Sequence, residues 1–370
     1  MKIAFVLSGN FPTNKAYGVT TKGSMLALRR LGHEVFVFSR REVIENFSQK
    51  GVCSRLVATI WERSINSRAI SEFIFPLWQV FACIQIRGLI PRDTEVIWTR
   101  EPIVSCLLSF LAPSIIIAEV HHLPRRFGKV AIWILKQRNR VIIAPIKPLI
   151  TVELGLEESK TPVAFMAVND NFLKIGESRS AKRNLMKKIV VMGKVSNKFQ
   201  RESYERLMAQ IKKLNELPIQ IELTFIGIDS QFCNTNMIDE SSNIKIQILG
   251  HIEHENLSSK LSEFDIGIIP YSDNRYFRET FPLKTVEYAA TKILIVASDT
   301  KTHKDILGDN AIYYDTQDEN SLREVLSRIW NGEFNTEEKI ESAYKWSQSK
   351  TYSKRVEIIM ECALTVQNLQ

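Results

Sequence analysis

Residues 266–297 read IGIIPYSDNRYFRETFPLKTVEYAATKILIVA. The stretch opens with an aliphatic run, Ile266–Pro270, and closes with another, Ile293–Ala297, and both have the composition of strands that are buried on two faces. A helical pattern over Pro282–Ala290 lies between them. A strand, a crossover helix and a second strand form a βαβ unit, so the stretch predicts a parallel sheet covered by helices.

The same alternation of strands and helices extends to both sides of this unit. Further strands are predicted at Lys2–Leu7, Glu34–Phe38, Glu95–Thr99, Ile115–Ala118, Val141–Ala144, Val163–Ala167, Ile189–Met192, Ile221–Ile226 and Ile244–Leu249. Further helices are predicted at Thr21–Leu31, Pro102–Leu111, Val130–Gln137, Tyr204–Leu214, Glu255–Glu263 and Ser321–Trp330. This pattern is typical of an α/β fold with two Rossmann-like domains, each built on a doubly wound parallel sheet.

A polar stretch from Asn169 to Lys188 interrupts the hydrophobic pattern and is typical of an interdomain linker. We therefore predict an N-terminal Rossmann-like domain over residues 1–170, a linker over 171–187 and a C-terminal Rossmann-like domain over 188–350. A last helix is predicted over residues 351–370. The length of 370 residues fits two domains of ordinary size.

The composition is that of a globular protein, with 45% hydrophobic and 24% charged residues. Five scattered cysteines without a C-x-x-C pair indicate neither a disulfide framework nor a zinc site, so we expect a reducing, cytoplasmic location. The apolar run after Met1 is too short for a signal peptide, and we expect no secretion. A net charge of +8 is compatible with a nucleic acid, an anionic lipid or a phosphorylated ligand as partner.

A region rich in arginine and tryptophan lies between Arg55 and Arg87 and includes Trp61 and Trp78. Two interpretations of it remain open: docking on an anionic membrane surface, as a peripheral protein of the inner face, or a basic surface over ordinary core aromatics. Its longest apolar stretch, Phe73–Ile86, is shorter than the roughly 18 residues that a membrane-spanning helix needs. Basic residues do not cluster with interleaved aromatics along one element, so we expect no nucleic-acid partner.

The helix that starts at Pro282 has the features of a phosphate site. A proline at the first helical position leaves the backbone N–H groups of Leu283 and Lys284 without helical partners, and such groups bind phosphate. The site predicted here is therefore the N-terminus of this helix.

Two glutamates flank this helix start. Glu287 lies in the second turn, from where a carboxylate can bind the vicinal hydroxyls of a ribose, and Glu279 in the preceding loop can reach the hydroxyls of a bound sugar. An alternative remains open, in which Glu279 balances Arg275 or Arg278 and Glu287 is a surface helix residue.

Three further positions follow predicted strands. Lys194 and Lys198 come directly after the first strand of the C-terminal domain, where point cations suit a diphosphate. His121 follows a strand end in the N-terminal domain, where it can transfer a proton or hydrogen-bond a sugar hydroxyl. Gly18 lies in the turn region after the first strand and allows a close approach to an anion. Each has an ordinary alternative: solvated lysines, a structural histidine and a turn glycine.

Taken together, these segments resemble the glycosyltransferase family 4 enzymes, which have the GT-B architecture of two facing Rossmann-like domains. The resemblance spans nearly the whole chain, and its most specific match is the pair Glu279 and Glu287, which has the family's E-x7-E spacing. Supporting matches are Gly18, Gly193-Lys194 with Lys198, Glu119-Val120-His121, Leu249–Ile252, and Tyr344–Ser347 before a final helix that crosses back to the N-terminal domain. The sequence departs from the family at Lys292 and Leu294, where Gly and Pro are usual.

The resemblance also implies roles for these residues. Glu279 is expected to contact the donor sugar, Glu287 to hold the ribose, and His121 to lie next to the transferred sugar. The residues expected to bind the donor are Gly18, Gly193, Lys194, Lys198, Ile252, Glu279, Phe281, Pro282, Leu283 and Glu287. Those expected to act in catalysis are His121, Glu279, Lys194 and Lys198.

The activity implied by the resemblance is that of a retaining glycosyltransferase. It would move a hexose-type sugar from a nucleotide-diphosphate donor, a UDP- or GDP-sugar, to a hydroxyl of a glycan or lipid-linked acceptor, in cell-surface polysaccharide or glycolipid biosynthesis. The sequence has no Asp-x-Asp, so we expect no metal ion and no other cofactor. Two alternatives remain open: a catalytically inactive GT-B scaffold and a sugar-nucleotide epimerase.

Overall fold

The computed structural model describes residues 1–7, 11, 16–39, 53–56, 80, 83–124, 126–181, 186–228 and 243–368. The chain forms two compact units. Unit 1 comprises Met1–Met166 together with Tyr352–Gln370, and unit 2 comprises Ala167–Thr351. In the described part of the chain, no helix has the length and apolar character that a membrane span requires.

Unit 1 is built on a parallel sheet of six strands in the order β3-β2-β1-β4-β5-β6. The strands are β1 Lys2–Val6, β2 Glu34–Ser39, β3 Cys53–Leu56, β4 Val96–Thr99, β5 Ile115–Val120 and β6 Val141–Pro145. The inner strands are almost fully buried, as expected for a sheet that is covered on both faces. The strand order reverses between β1 and β4, which makes the carboxyl ends of these two strands the switch point where such folds bind ligands.

The helices of unit 1 lie on this sheet. They are α1 Ala16–Arg30, α2 Pro102–Leu111, α3 Phe127–Leu135, α4 Pro148–Glu153 and the last helix, α13 Tyr352–Asn368. Helix α13 packs on α1, and the Tyr352 ring fills the space where a Cβ on Gly23 would lie, 2.4 Å away. The prediction that the last helix returns to the N-terminal domain is confirmed.

Unit 2 repeats the same architecture with a parallel sheet in the order β12-β11-β10-β7-β8-β9. Its strands are β7 Lys188–Met192, β8 Ile221–Ile226, β9 Ile244–Leu249, β10 Ile266–Ile269, β11 Leu294–Ser298 and β12 Ile312–Tyr314. Its helices are α5 Asp170–Ser178, α6 Lys198–Lys213, α7 His254–Leu261, α8 Arg275–Arg278, α9 Leu283–Ala290, α10 Lys301–Leu307, α11 Ser321–Trp330 and α12 Thr336–Gln348. The switch point of this sheet lies between β7 and β10.

The predicted linker over 171–187 is wrong for its first half, because α5 forms there. This helix is polar overall but buries Phe172 and Gly176 on one side. Gly176 allows the helix to approach α9 closely, since a Cβ at this position would lie 2.1 Å from the Ala290 carbonyl oxygen. A single buried stripe in a polar sequence was not enough to predict the helix.

The predicted strand Val163–Ala167 is also wrong. The segment is extended and mostly buried, but only one ladder-type hydrogen bond, from Ala164 N to the Pro145 oxygen at 2.7 Å, ties it to β6. An apolar run predicts burial more securely than it predicts pairing.

Candidate functional site

At the switch point of unit 2, side chains take the place of a neighbouring strand as the hydrogen-bond partners of the Met192 backbone. The pairing of β7 with β10 ends one residue before Met192. The Met192 N–H donates to Tyr288 Oη (3.1 Å), and its carbonyl oxygen accepts from Tyr204 Oη (2.9 Å) and from Lys284 Nζ. Because these groups satisfy the backbone of Met192, the two strands separate without leaving a buried polar group unpaired. A crevice between strand ends is where ligands bind in this type of sheet.

Gly193, a predicted donor-binding residue, occupies the next position and has a steric reason to be glycine. Its φ of +150° falls in a region that side chains disfavour. A Cβ would also lie 2.4 Å from Tyr204 Oη and 3.0 Å from Lys284 Nζ. Any side chain here would displace the groups that hold the crevice open.

Lys284 is the residue of this site whose side chain the sequence analysis missed. It is buried, and its Nζ lies 4.5 Å from the centroid of the Tyr271 ring as well as on the Met192 carbonyl. Burial lowers the pKa of Lys284 to about 7, against the opposing effect of Glu287. The sequence signal for this side chain is the spacing of three residues between Lys284 and Glu287, which places both on one face of the helix.

The two predicted lysines lie on the exposed side of the crevice. Lys194 is exposed in the loop after β7, and Lys198 is the exposed first residue of α6, directly after the N-cap Asn197. The second turn of α6 contacts the loop after β10 through the Ser203 and Ser272 hydroxyls, which lie 2.9 Å apart, and the Phe199 ring in the first turn stacks on the Tyr276 ring. The structure therefore brings the Lys198 end of α6 together with the loop that contains Glu279.

The loop after β10 carries the first predicted glutamate. Glu279 is half-buried and follows the single turn of α8. Arg278, one of the two arginines considered as its partner, instead pairs with Asp273 through contacts of 2.8 and 3.0 Å. Pro282 is the N-cap of α9 and not its first helical residue, so that part of the prediction is shifted by one position. Leu283 is the first helical residue, and Phe281, Pro282 and Leu283 are all partly exposed.

Glu287, the second predicted glutamate, is only 4% exposed, so the alternative that it is a surface residue is wrong. Its Oε1 lies 2.8 Å from His254 Nε2, and His254 Nδ1 lies 3.3 Å from Asn169 Nδ2. His254 begins α7 just after the loop that contains the predicted residue Ile252, which is partly buried. Glu287 and the loop after β9 are thus brought together.

Lys292, where the resembling family usually has glycine, adopts a positive φ of 52°. Its Nζ donates to Glu341 Oε1 at 2.7 Å and lies 4.8 Å from the centroid of the Tyr344 ring. The turn that favours glycine is therefore kept by a lysine that α12 holds in place. The turn after the Glu287 helix therefore keeps a positive φ, although the sequence has lysine where the family usually has glycine.

In unit 1 the carboxylate of Glu119 lies at the centre of a buried charged cluster. Trp98 Nε1 donates to Glu119 Oε2 at 2.9 Å, and Arg355 Nη2 lies 2.7 Å from Oε1. Arg100 Nε lies 3.6 Å from Oε1, and His121 Nε2 contacts the same oxygen. Burial alone would raise the pKa of Glu119, but Arg355, His121 and Arg100 hold it well below its usual value.

His121, a predicted catalytic residue, lies directly after β5 and is fixed by this cluster. Its Nδ1 lies 2.8 Å from Arg100 Nη2. Burial and the Arg100 charge lower the pKa of His121 to about 4, so the imidazole is neutral at pH 7. Its neighbour Arg100, which the sequence analysis missed, also donates to the Tyr17 carbonyl oxygen at 2.7 Å.

Gly18 lies in the first turn of α1 and not in a turn before it, because this helix begins at Ala16. Arg100 connects this turn to His121, so two predicted residues of unit 1 meet at its switch point. Among the residues described, no three or more His, Cys, Asp or Glu side chains are grouped so that they could hold a metal ion.

One family model matches a segment of unit 2. Residues 186–331 match the model of the family Glycosyl transferases group 1. No curated protein sequence matches the chain. Residues 186–331 contain Gly193, Lys284, Glu279 and Glu287.

Solved structures of similar fold cover the whole chain. A glycosyltransferase from Rickettsia africae has a TM-score of 0.75 at 14% identity and covers 100% of this chain and 99% of its own. HepE from Anabaena, in complex with UDP, has a TM-score of 0.67 at 12% identity and covers 100% of both chains. An α,α-trehalose 6-phosphate synthase from Burkholderia multivorans has a TM-score of 0.67 at 12% identity and covers 100% of this chain and 99% of its own.

At these identities the likeness to solved structures shows the fold, and it confirms the predicted GT-B architecture. Together with the family match it supports glycosyl transfer from a nucleotide sugar. Residues 186–331 are thus similar to the Glycosyl transferases group 1 family, and the chain as a whole has a two-domain α/β fold of the GT-B type.

Proposed function

We propose that this protein is a retaining glycosyltransferase that moves a hexose-type sugar from a UDP- or GDP-sugar to a hydroxyl of a glycan or lipid-linked acceptor. We place this reaction in the biosynthesis of cell-surface polysaccharide or glycolipid, on the cytoplasmic side of the membrane. The observation that carries the proposal is the switch point between β7 and β10, with a buried lysine and a buried glutamate on one helix, inside the segment that matches the family. HepE, which shares the fold, was solved with UDP and with UDP and glucose.

The donor diphosphate is neutralised by protein groups in this proposal. The first turn of α9 offers the N–H groups of Leu283 and Lys284, and the Lys284 side chain lies at the inner end of the crevice. Lys194 and Lys198 supply further positive charge from the loop after β7 and the start of α6. With these cations in place no metal ion is needed to hold the diphosphate.

The two glutamates bind hydroxyl groups. His254 fixes one oxygen of Glu287, which orients the carboxylate beside the loop after β9 for the ribose. Glu279 in the partly exposed loop positions the sugar ring. His121 is neutral at pH 7, so its ring or carbonyl can stabilise a positively charged sugar without repelling it.

Glu287→Ala is expected to weaken the binding of the preferred nucleoside diphosphate by about tenfold to a hundredfold, because a charge-assisted hydrogen bond contributes about 1.5–3 kcal/mol. The measurement is calorimetric titration with UDP, GDP and ADP in EDTA. Glu263→Ala, which removes an exposed carboxylate that pairs with Lys260 in the same unit, is the matched control and should bind as the wild type does. A folded wild-type protein that binds none of the three nucleotides would favour the inactive scaffold.

Glu279→Ala and Lys198→Ala are each expected to lower turnover by about a hundredfold to a thousandfold, the range found when one group that stabilises the transition state is removed. The assay follows transfer or hydrolysis of the sugar conjugate of whichever nucleotide binds, and the anomeric configuration of the product tests retention. Lys260→Ala serves as the control for the loss of a partly exposed cation that pairs with Glu263. Unchanged turnover in both variants would refute the proposed mechanism, and an epimerised free or nucleotide-linked sugar would identify an epimerase.

A further inference from the structure

Helix α3 presents three large apolar side chains to solvent. Phe127 and Val130 are each 56% exposed and Trp133 is 65% exposed, and they recur at a spacing of one helical turn. The opposite side of the helix, with Ala131 and Leu135, is buried, and the helix packs on α2. Packing within unit 1 therefore explains the apolar residues on the buried side of this helix but not the three exposed apolar side chains.

The exposed stripe continues onto the neighbouring helix α2, which packs beside α3. Phe110 at the end of α2 is 60% exposed, and Leu111 next to it is also exposed. Arg138, just after α3, covers the Phe110 ring at 4.2 Å and donates to the Ser109 carbonyl oxygen at 2.7 Å. The α3 surface, as we name it, consists of Phe110, Leu111, Phe127, Val130 and Trp133. Several large apolar side chains exposed on two helices that pack together are typical of an interaction site.

The charged residues within and next to α3 along the chain are all basic. No aspartate or glutamate occurs from Val120 to Val152, nor in the whole of α2. The exposed charged residues in and around α3 are Arg126, Lys129, Lys136 and Arg140, with Arg138 partly exposed among them. Exposed basic residues beside aromatic and aliphatic side chains are complementary to a negatively charged, partly apolar surface.

We propose that the α3 surface docks unit 1 on a membrane that contains anionic lipids. Trp133 and Phe127 would lie among the lipid headgroups, where aromatic rings are favoured, while Lys129 and Arg140 contact lipid phosphates. The region between Arg55 and Arg87, where the sequence indicated docking, lies largely outside the described residues, and Trp61 and Trp78 are among those that are not described. The α3 surface does not depend on the donor site in unit 2.

The test is flotation of the full chain with vesicles of phosphatidylcholine and phosphatidylglycerol, compared with vesicles of phosphatidylcholine alone. The wild type should float with the anionic vesicles only. The double variant Phe127→Ser/Trp133→Ser should lose at least about tenfold in partitioning, because two large apolar groups no longer leave water. Lys129→Ala and Arg140→Ala should each lose about fivefold, the effect of one basic residue near an anionic surface.

The double variant Ile358→Ser/Leu364→Ser is the control, since both residues are exposed apolar positions on α13. It should float like the wild type. Absence of wild-type flotation, or equal flotation of the Phe127/Trp133 variant, would overturn the proposal. So would sedimentation of the wild type as a dimer that Trp133→Ser makes monomeric, because the surface would then join two copies of the chain. Nucleotide titration of the same variants distinguishes failure of the docking proposal from failure of the proposed function. A loss of flotation with unchanged nucleotide binding concerns the α3 surface alone, and a loss of nucleotide binding with unchanged flotation concerns the donor site alone.

Discussion

An Arg355→Met variant is expected to unfold with a free energy about 3 kcal/mol lower than that of the wild type at pH 7, because it leaves a buried carboxylate without its nearest counter-charge. Arg355 is fully buried on α13, and its Nη2 lies 2.7 Å from Glu119 Oε1. Its Nε also donates to the Phe165 carbonyl oxygen at 2.9 Å and its Nη1 to Ser24 Oγ at 2.6 Å. The loss stays at the lower end of the expected range because Arg100 still lies 3.6 Å from Glu119.

The pH dependence of this loss follows from the lowered pKa of Glu119. A carboxyl whose pKa is lower in the folded state contributes stability above its unfolded pKa of about 4.5, and loses it as the pH falls through the folded value. In the variant the carboxyl keeps less of that contribution. The difference between wild type and variant should therefore be largest near pH 7 and should narrow below about pH 4.5.

Hydrogen exchange of peptides from β5 and α13 measures this effect in unit 1 alone, which a single melting temperature of a two-unit chain does not. Lys354→Met is the matched control on the same helix, since Lys354 is exposed and pairs with Glu357 at 3.0 Å, and it should change stability by less than about 0.5 kcal/mol. Adding Glu119→Gln to Arg355→Met should recover about 1 kcal/mol, because the unpaired charge is removed. Equal exchange in wild type and Arg355→Met would show that the ion pair contributes nothing to stability.

Strand and helix patterns predicted the two sheets because most of their strands are buried on both faces and therefore consist of aliphatic runs. Ile221–Ile226 and Ser321–Trp330 have the predicted bounds. The strands that were missed, β3 and β12, are the edge strands of their sheets and are only four and three residues long. An edge strand is covered less and pairs on one side, so its sequence carries a weaker signal.

The site was predictable where a single segment carries it and not where distant segments meet. The E-x7-E spacing placed Glu279 and Glu287 on the loop and helix after β10, where the structure has them. Arg355, by contrast, contacts Glu119 although it lies 236 positions further along the chain, on another element. Only the backbone N–H of Lys284 was predicted to bind phosphate, because a sequence does not show that the side chain reaches the end of β7. These partners arise from tertiary packing, which spacing along the chain does not record.

A Lys284→Met variant is expected to bind the preferred nucleoside diphosphate about tenfold to a hundredfold more weakly at pH 7, because the crevice loses its buried cation. Burial holds the pKa of Lys284 at about 7 in the free protein. A bound diphosphate favours the ammonium form and raises this pKa, so binding above pH 7 requires uptake of a proton. The wild-type dissociation constant should therefore rise by up to about tenfold per pH unit from about pH 7 to 8.5, and that of the variant should not. Lys260→Met, which replaces a partly exposed lysine that pairs with Glu263, should keep the wild-type profile.

The Lys284→Met substitution should weaken nucleotide binding but raise the free energy of unfolding. A lysine whose pKa is lowered to about 7 destabilises the fold fully below that pH, and the penalty disappears as the pH rises to its unfolded value of about 10.4. The shift corresponds to about 5 kcal/mol, of which the lost hydrogen bond to Met192 offsets about 1 kcal/mol. Lys284→Met should thus be more stable than the wild type at pH 6, by at least about 2 kcal/mol, and the gain should shrink toward pH 10. A residue that lowers the stability of the fold but strengthens ligand binding is explained by its role in binding. If the methionine variant is instead less stable and binds nucleotide with an unchanged pH profile, Lys284 serves the fold alone and the diphosphate depends on Lys194, Lys198 and the helix amides.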